Sequence, residues 1–151
     1  RYAGVWCLIK EHSVFGMKFN FDTIPNQLDP LDYDAMIKNP CQFISVVVDA
    51  ETAKPVYFPK QEMRRGDYSI IRASSALPVF SPAVEINGRK YYDGGTVDPI
   101  PVHYPLEHGY NRVIVVLTQP KAAAGGQSGL FSGFEKIPKA DTGGETAPYS
   151  I

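Results

Sequence analysis

The sequence predicts an α/β fold in which helices cover a mixed, mostly parallel sheet. Three observations carry that expectation. "FISVVVDA" (43–50) and "RVIVVLT" (112–118) are short apolar runs rich in β-branched residues, and such runs read as buried strands. "AVEI-NG-RKYY" sets Asn87-Gly88 between two alternating stretches, which is the signature of a tight hairpin. "PVHYPLEHG" reads as a short helix just before the second apolar run. Helix followed by apolar strand is the pattern of a helix-covered parallel sheet.

The remaining elements follow in chain order. Phe15, Met17, Phe19 and Phe21 alternate and predict an extended piece that belongs to the core. "LDPLDYDAMIKNP" predicts a helix with Leu31 and Ala35, and Met36 beside them, on one face, stopped by Pro40. The strand at 43–50 is expected to return through "KPVYF" (54–58) as a hairpin. Asp67 is placed to cap a helix through "YSIIRASSAL", which Pro78 ends. Its centre, Ala73-Ser74-Ser75-Ala76, is small throughout. Such a stretch lets a helix approach a sheet closely or leaves room beside a site. In the Asn-Gly hairpin, a two-residue loop sets Ile86 opposite Arg89, Glu85 opposite Lys90 and Val84 opposite Tyr91. The opposite charges of Glu85 and Lys90 support that register. Asp93 then ends the second strand, expected at the edge of a cleft. In "PVHYPLEHG", Gly109 stands where a helix C-terminus favours glycine.

Composition bounds the rest. At 151 residues the chain is long enough for one domain with a real core. Its 44% hydrophobic and 21% charged content is that of an ordinary soluble globular protein. A net charge of −1 gives no nucleic-acid footprint. Cys7 and Cys41 both stand in apolar surroundings and are expected as buried free thiols, which favours a reducing, cytoplasmic setting. No apolar run approaches the roughly 18 residues that cross a bilayer. No signal peptide stands at the start, and the chain opens on Arg1 rather than methionine, so it is expected to be part of a longer protein. Residues 1–119 are expected as the body. Residues 120–151, rich in Gly, Ala, Ser and Pro, are expected as a tail or linker.

"YYDGG" holds the candidate chemistry. Alone, Asp-Gly-Gly reads as an ordinary turn. Its context is more specific. Ala73, Ser74, Ser75, Ala76, Pro78, Phe80 and Pro82 precede the hairpin; Asp93, Gly94, Gly95 and then Pro101 follow it. This order resembles the patatin-like family of lipid acyl hydrolases across about residues 66 to 118. The upstream stretch "FDTIPNQLDPLDYDAMIKNP" is similar, more softly, to the bacterial branch of that family. The resemblance implies a three-layer α/β/α fold and hydrolysis of carboxylic esters of lipids by a Ser–Asp dyad. Asp93 would be the general base, with Gly94 and Gly95 shaping the site. The implied partners are a lipid or other acyl-ester substrate and transient contact with a membrane surface. No metal or organic cofactor is implied.

The family carries its serine in Gly-x-Ser-x-Gly and its oxyanion donors in a Gly-rich loop. Neither is in this sequence. "GGQSGLFSG" (125–133) has Leu130 where the motif needs glycine. In the family both motifs lie upstream, so these residues are expected to be the C-terminal part of such a domain, with its N-terminal part as their partner. Ser74 and Ser75 read as packing residues, although their hydroxyls leave a nucleophile open. His12, His103 and His108 are scattered, and a triad through one of them is the less favoured arrangement. Arg64 and Arg65 read as a solvated pair rather than a headgroup patch. Asp98 either starts a turn or holds a loop near the site. The rival reading is a non-catalytic α/β domain that binds a partner or acyl ligand, with Asp93 only a turn residue.

Overall fold

The computed structural model describes residues 3–116. The expected tail and the last two residues of the run 112–118 lie outside the described residues. The chain divides into two units, Arg1–Pro99 and Ile100–Ile151.

The first unit is built on a four-stranded sheet. Its strands are β1 (Ile44–Asp49), β2 (Pro55–Pro59), β3 (Val84–Ile86) and β4 (Arg89–Asp93), in the order β2-β1-β4-β3. Every neighbouring pair is antiparallel, so the expected mostly parallel sheet is overturned and the fold is α/β with an antiparallel sheet. The reason lies in the connections. β1–β2 and β3–β4 are joined by short turns, which can only bring the chain back antiparallel.

The Asn-Gly hairpin forms as its letters predict. Asn87 and Gly88 have φ of 51° and 79°, the left-handed pair that a type I′ turn requires. Val84 lies opposite Tyr91, Glu85 opposite Lys90 and Ile86 opposite Arg89.

Alternation along the strands separates two faces. Ser45, Val47 and Asp49 share a face with Val56, Phe58, Tyr91 and Val84. Helix α3 (Ser69–Ala73) brings Ile70 and Ala73 to this core, and Met17, Met63, Tyr68 and Ala76 complete it. Ala73 and Ala76 have no exposed surface, as the small-residue stretch led us to expect. Phe58 meets Tyr91 edge-on, with ring centroids 5.4 Å apart, a favourable aromatic geometry.

Several elements differ from the sequence reading. Residues Phe19–Leu28 form a wide π-type helix rather than an extended piece. Met17 and Phe21 both reach the core, and a spacing of four is a helical one as well as an alternating one. α2 (Tyr33–Lys38) forms and is capped by Asp32, whose carboxylate accepts the Ala35 N–H. Its inner face is Met36 with Tyr33 and Ile37, whereas Leu31 and Ala35 are exposed. The N-cap of α3 is Tyr68 rather than the expected Asp67, which lies one residue earlier and accepts the Ser69 N–H in a local turn, and the helix is short. Ser75 and Ala76 donate three residues back, to Arg72 and Ala73, tightening the last turn before Pro78. Cys7 is buried as expected, while Cys41 is exposed.

Lys60 was given no role by sequence. Its buried ammonium donates to the carbonyls of Met36, Asn39 and Cys41. That fastens the end of α2 and the loop after it to the sheet.

In the second unit, α4 (His103–Glu107) forms and Gly109 follows with φ 86°, as its sequence predicts. Residues 112–116 form no strand. Ile114 is 92% and Val116 86% exposed, which corrects the expectation of a buried strand. Apolar, β-branched composition supplies propensity only; a strand exists when a neighbour completes its ladder. Among the described residues, no helix is long and apolar enough to cross a membrane.

β1 ends in a tight polar turn with a measurable pH signature. Asp49 is 2% exposed. Its Oδ1 accepts the N–H groups of Glu51 and Thr52, and Arg89 pairs with Oδ2 at 3.3 Å. The Thr52 N–H, above all, holds the carboxyl below its ordinary 3.8, against burial and with help from Glu51 and Arg89. A carboxyl depressed in the fold contributes stability above its unfolded value, and loses it as pH falls through the folded value. Thermal melts are therefore expected to keep this contribution above pH 3.8 and to drop as the pH is taken below it. Asp49→Asn should melt lower at the upper pH and lose less on acidification. An unchanged acid dependence in the variant would remove Asp49 as a source of it.

Candidate functional site

Strand β4 delivers Asp93 as its last residue. In the ladder, Asp93 lies opposite Val47, at the rim of the core face. Its N–H donates to the Ala76 carbonyl at 2.9 Å. The end of β4 and the small-residue turn after α3 are thus joined directly, which their separation in sequence did not announce.

Past Asp93 the chain makes one turn of 3₁₀ helix, Gly94–Thr96. The Gly95 N–H donates to Asp93 Oδ1 at 2.8 Å, and the Thr96 hydroxyl donates to the Asp93 carbonyl at 2.8 Å. The N–H groups of Val97 and Asp98 both donate to the Gly94 carbonyl, at 3.0 and 2.8 Å. The Tyr57 hydroxyl donates to Asp98 Oδ2 at 2.5 Å. Among the described residues nothing hydrogen-bonds Asp93 Oδ2. Asp93 is therefore half-buried, oriented through one carboxylate oxygen and open at the other.

The two glycines have separate physical reasons. Gly94 is buried, and a Cβ there would sit 2.6 Å from both the carbonyl carbon and oxygen of Val46. Only glycine lets this turn rest on the backbone of β1. A Cβ at Gly95 would stand 3.2 Å from Asp93 Oδ1, crowding the carboxylate it binds. Neither glycine has a left-handed φ. What the turn needs is closeness rather than unusual dihedrals.

The other candidates are placed as follows. Ser75 turns its hydroxyl back to the Ile71 carbonyl at 3.2 Å, and Ser74 caps the end of α3. Arg65 pairs with Asp34 and lies over the Tyr33 ring at 5.0 Å. His12 follows α1 (Val5–Glu11) in a left-handed conformation. His103 and His108 belong to the second unit, where His108 stacks on Tyr104 and bonds its carbonyl. Among the described residues, the surface hollows of the first unit include two away from this turn. One, about 310 Å³, is lined by Lys18, Asp22, Asp67 and Arg72 among others. The other, about 380 Å³, runs along Phe21, Ile24, Leu31 and Ile71. Neither borders Asp93. Among the described residues no cluster of His, Cys, Asp and Glu is placed to hold a metal ion.

Sequence reasoning missed Tyr57. Its partner Asp98 carried a weak signal, as an acid five residues after Asp93. Nothing in "KPVYF" marks the tyrosine as the residue that meets it.

A family model described as Patatin-like phospholipase matches residues 17–106, well over half of the chain. That span contains the whole sheet, α3, Tyr57 and the Asp93 turn. No curated protein matches the chain.

The glycine contacts yield a ranked expectation. Gly94→Ala forces the turn off the β1 backbone and should cost about 1–3 kcal/mol of stability. Gly95→Ala meets only a side-chain oxygen that can give by a few tenths of an ångström, and should cost less. Urea unfolding of the two variants checks this. Equal stabilities, or the reverse order, would contradict the close approach at Val46.

Proposed function

The chain belongs to the patatin-like phospholipase family, and from that premise we propose that it forms part of a serine-dependent lipid acyl hydrolase with Asp93 as general base. The observation that carries this is the state of the Asp93 carboxylate. Oδ1 is held by the Gly95 N–H while Oδ2 is open among the described residues. A general base needs both a fixed orientation and a free lone pair. The 151 residues contain no Gly-x-Ser-x-Gly, so the serine is supplied from outside them.

In the proposed step, Asp93 accepts the proton of the serine hydroxyl as its oxygen attacks the ester carbonyl. The alcohol leaves with a proton, and an acyl-enzyme remains. Water, deprotonated by the same carboxylate, then releases the fatty acid and regenerates the serine. The oxyanion donors come, like the serine, from outside these residues. A cytoplasmic setting with transient contact at a membrane surface suits a lipid substrate.

One observation favours a second reading. A carboxylate that accepts the N–H two residues on is also an ordinary turn, and Asp93 would then be structural only. Mutation separates the two. In the natural protein that carries these residues, Asp93→Asn should lower hydrolysis of a chromogenic fatty-acyl ester by about 10²–10⁴-fold. Circular dichroism and melting should stay close to wild type, because asparagine still accepts the Gly95 N–H. The 151-residue chain alone should show no hydrolysis above background. A folded Asp93→Asn protein with full turnover would leave only the structural role.

A further inference from the structure

The turn that carries Asp93 is fastened at both ends. At the near end Asp93 is fixed by the β1 ladder and by the Ala76 carbonyl. In the middle Gly94 rests on Val46. At the far end the carboxylate of Asp98 meets the Tyr57 hydroxyl at 2.5 Å. Tyr57 belongs to β2, which lies on the opposite side of β1 from β4. It stands directly opposite Val46 in the ladder, and directly opposite residues point to the same face. The phenol therefore rises beside the very residue on which Gly94 rests. It spans the central strand to reach the end of the turn.

We propose that Tyr57 and Asp98 act as a positioning pair for Asp93, an inference that rests on the general-base reading above. The bond runs from a neutral phenol to a carboxylate, the charge-assisted kind that is short and strong. Asp98 also donates its own N–H to the Gly94 carbonyl at 2.8 Å. Pro99 follows it directly and restricts its backbone. A fixed Asp98 therefore fixes the Gly94 carbonyl. That holds the Gly95 N–H against Asp93 Oδ1. Releasing the phenol frees the far end of the turn while the strand ladder stays intact. The carboxylate then keeps its chemistry and loses its aim. Misplacement of a reacting group by about 1 Å can cost about 10²-fold in rate.

The test uses the natural protein with the variants Tyr57→Phe, Asp98→Asn, Asp98→Ala, the double Tyr57→Phe/Asp98→Ala, and Asp93→Asn as a control. Tyr57→Phe and Asp98→Ala should each lower kcat by about 10- to 100-fold, with KM and melting temperature little changed. Asp98→Asn keeps an acceptor for the phenol and should recover most of the rate. The double variant should be no worse than either single one, because both remove the same bond. Amide hydrogen exchange supplies a readout independent of activity. Tyr57→Phe should speed exchange across residues 93–98 and leave β1 and β2 unchanged. If Tyr57→Phe keeps wild-type kcat while Asp93→Asn is inactive, the positioning role is overturned and the general-base reading stands. If Asp93→Asn is fully active, the general-base reading fails instead, and exchange alone decides whether the pair holds the turn. Unchanged exchange at 93–98 overturns the pair. Faster exchange in β2 as well assigns Tyr57 to the sheet rather than to the turn.

Discussion

Val47 is where the sheet, the core and the candidate site depend on one another. It has no exposed surface, and its ladder partners are Val56 on one side and Asp93 on the other. Among the described residues, the two hairpins are joined by the pairing of β1 with β4, so the register of that pairing fixes the position of one against the other. A shift by one residue would exchange the faces of the strand. Val47 would leave the core, and Asp93 would no longer end its strand beside the Ala76 carbonyl. The neighbouring residue serves the opposite face. Val46 offers its backbone to Gly94 and its cross-strand neighbour Tyr57 to Asp98. Two consecutive residues of one strand thus seat the Asp93 turn from both sides.

Several polar groups buried around this strand have partners, whereas Arg72 Nε on α3 is buried without a hydrogen bond among the described residues. Lys60 spends its ammonium on three carbonyls. Ser13 and Ser81 bond each other in the interior at 2.8 Å, and Phe80 accepts the adjacent Val14 N–H. Burial of an unpaired charge or hydroxyl is costly, so these pairings are what allow loops to close over the core. The Ser13–Ser81 and Val14–Phe80 bonds also tie down the segment after α3, which carries the Ala76 carbonyl that receives the Asp93 N–H.

The legible part of the structure was local. Asn87-Gly88 dictated a turn type and therefore a register. The apolar run at 43–50 and the return at 54–58 were close enough in sequence to read as a pair. The sequence reading gave the glycines after Asp93 the shaping of the site. What the structure adds is why they are glycines: close approach to Val46 and to the carboxylate. What failed was whatever needed a distant partner. The run at 112–118 had strand letters, but among the described residues no neighbour completes a ladder with it. The spacing of Met17 and Phe21 fitted two periodicities, and only packing against the core selected the helical one. Tyr57 and Asp98 are 41 residues apart, and neither carries a local pattern that points to the other.

The choice between turn residue and general base for Asp93 is sharpened by Asp49, which supplies an internal comparison. Both aspartates end a strand of the same sheet, and both accept the N–H two residues on. Asp49 goes further. It also takes the Thr52 N–H, and Arg89 engages its second oxygen. With 2% exposure and three partners, its carboxylate is largely engaged and shielded from an incoming group. Asp93 stops after the first bond. Its second oxygen is left without a partner among the described residues, in a half-buried position. Among the described residues no arginine pairs with it, and Gly95 two residues on lacks the Cβ that would crowd the carboxylate. A turn that needed only stability would gain from the additional bonds that Asp49 has. The same local motif has been completed at one site and left open at the other. That contrast supports the proposed general-base role of Asp93 against a purely architectural one such as that of Asp49.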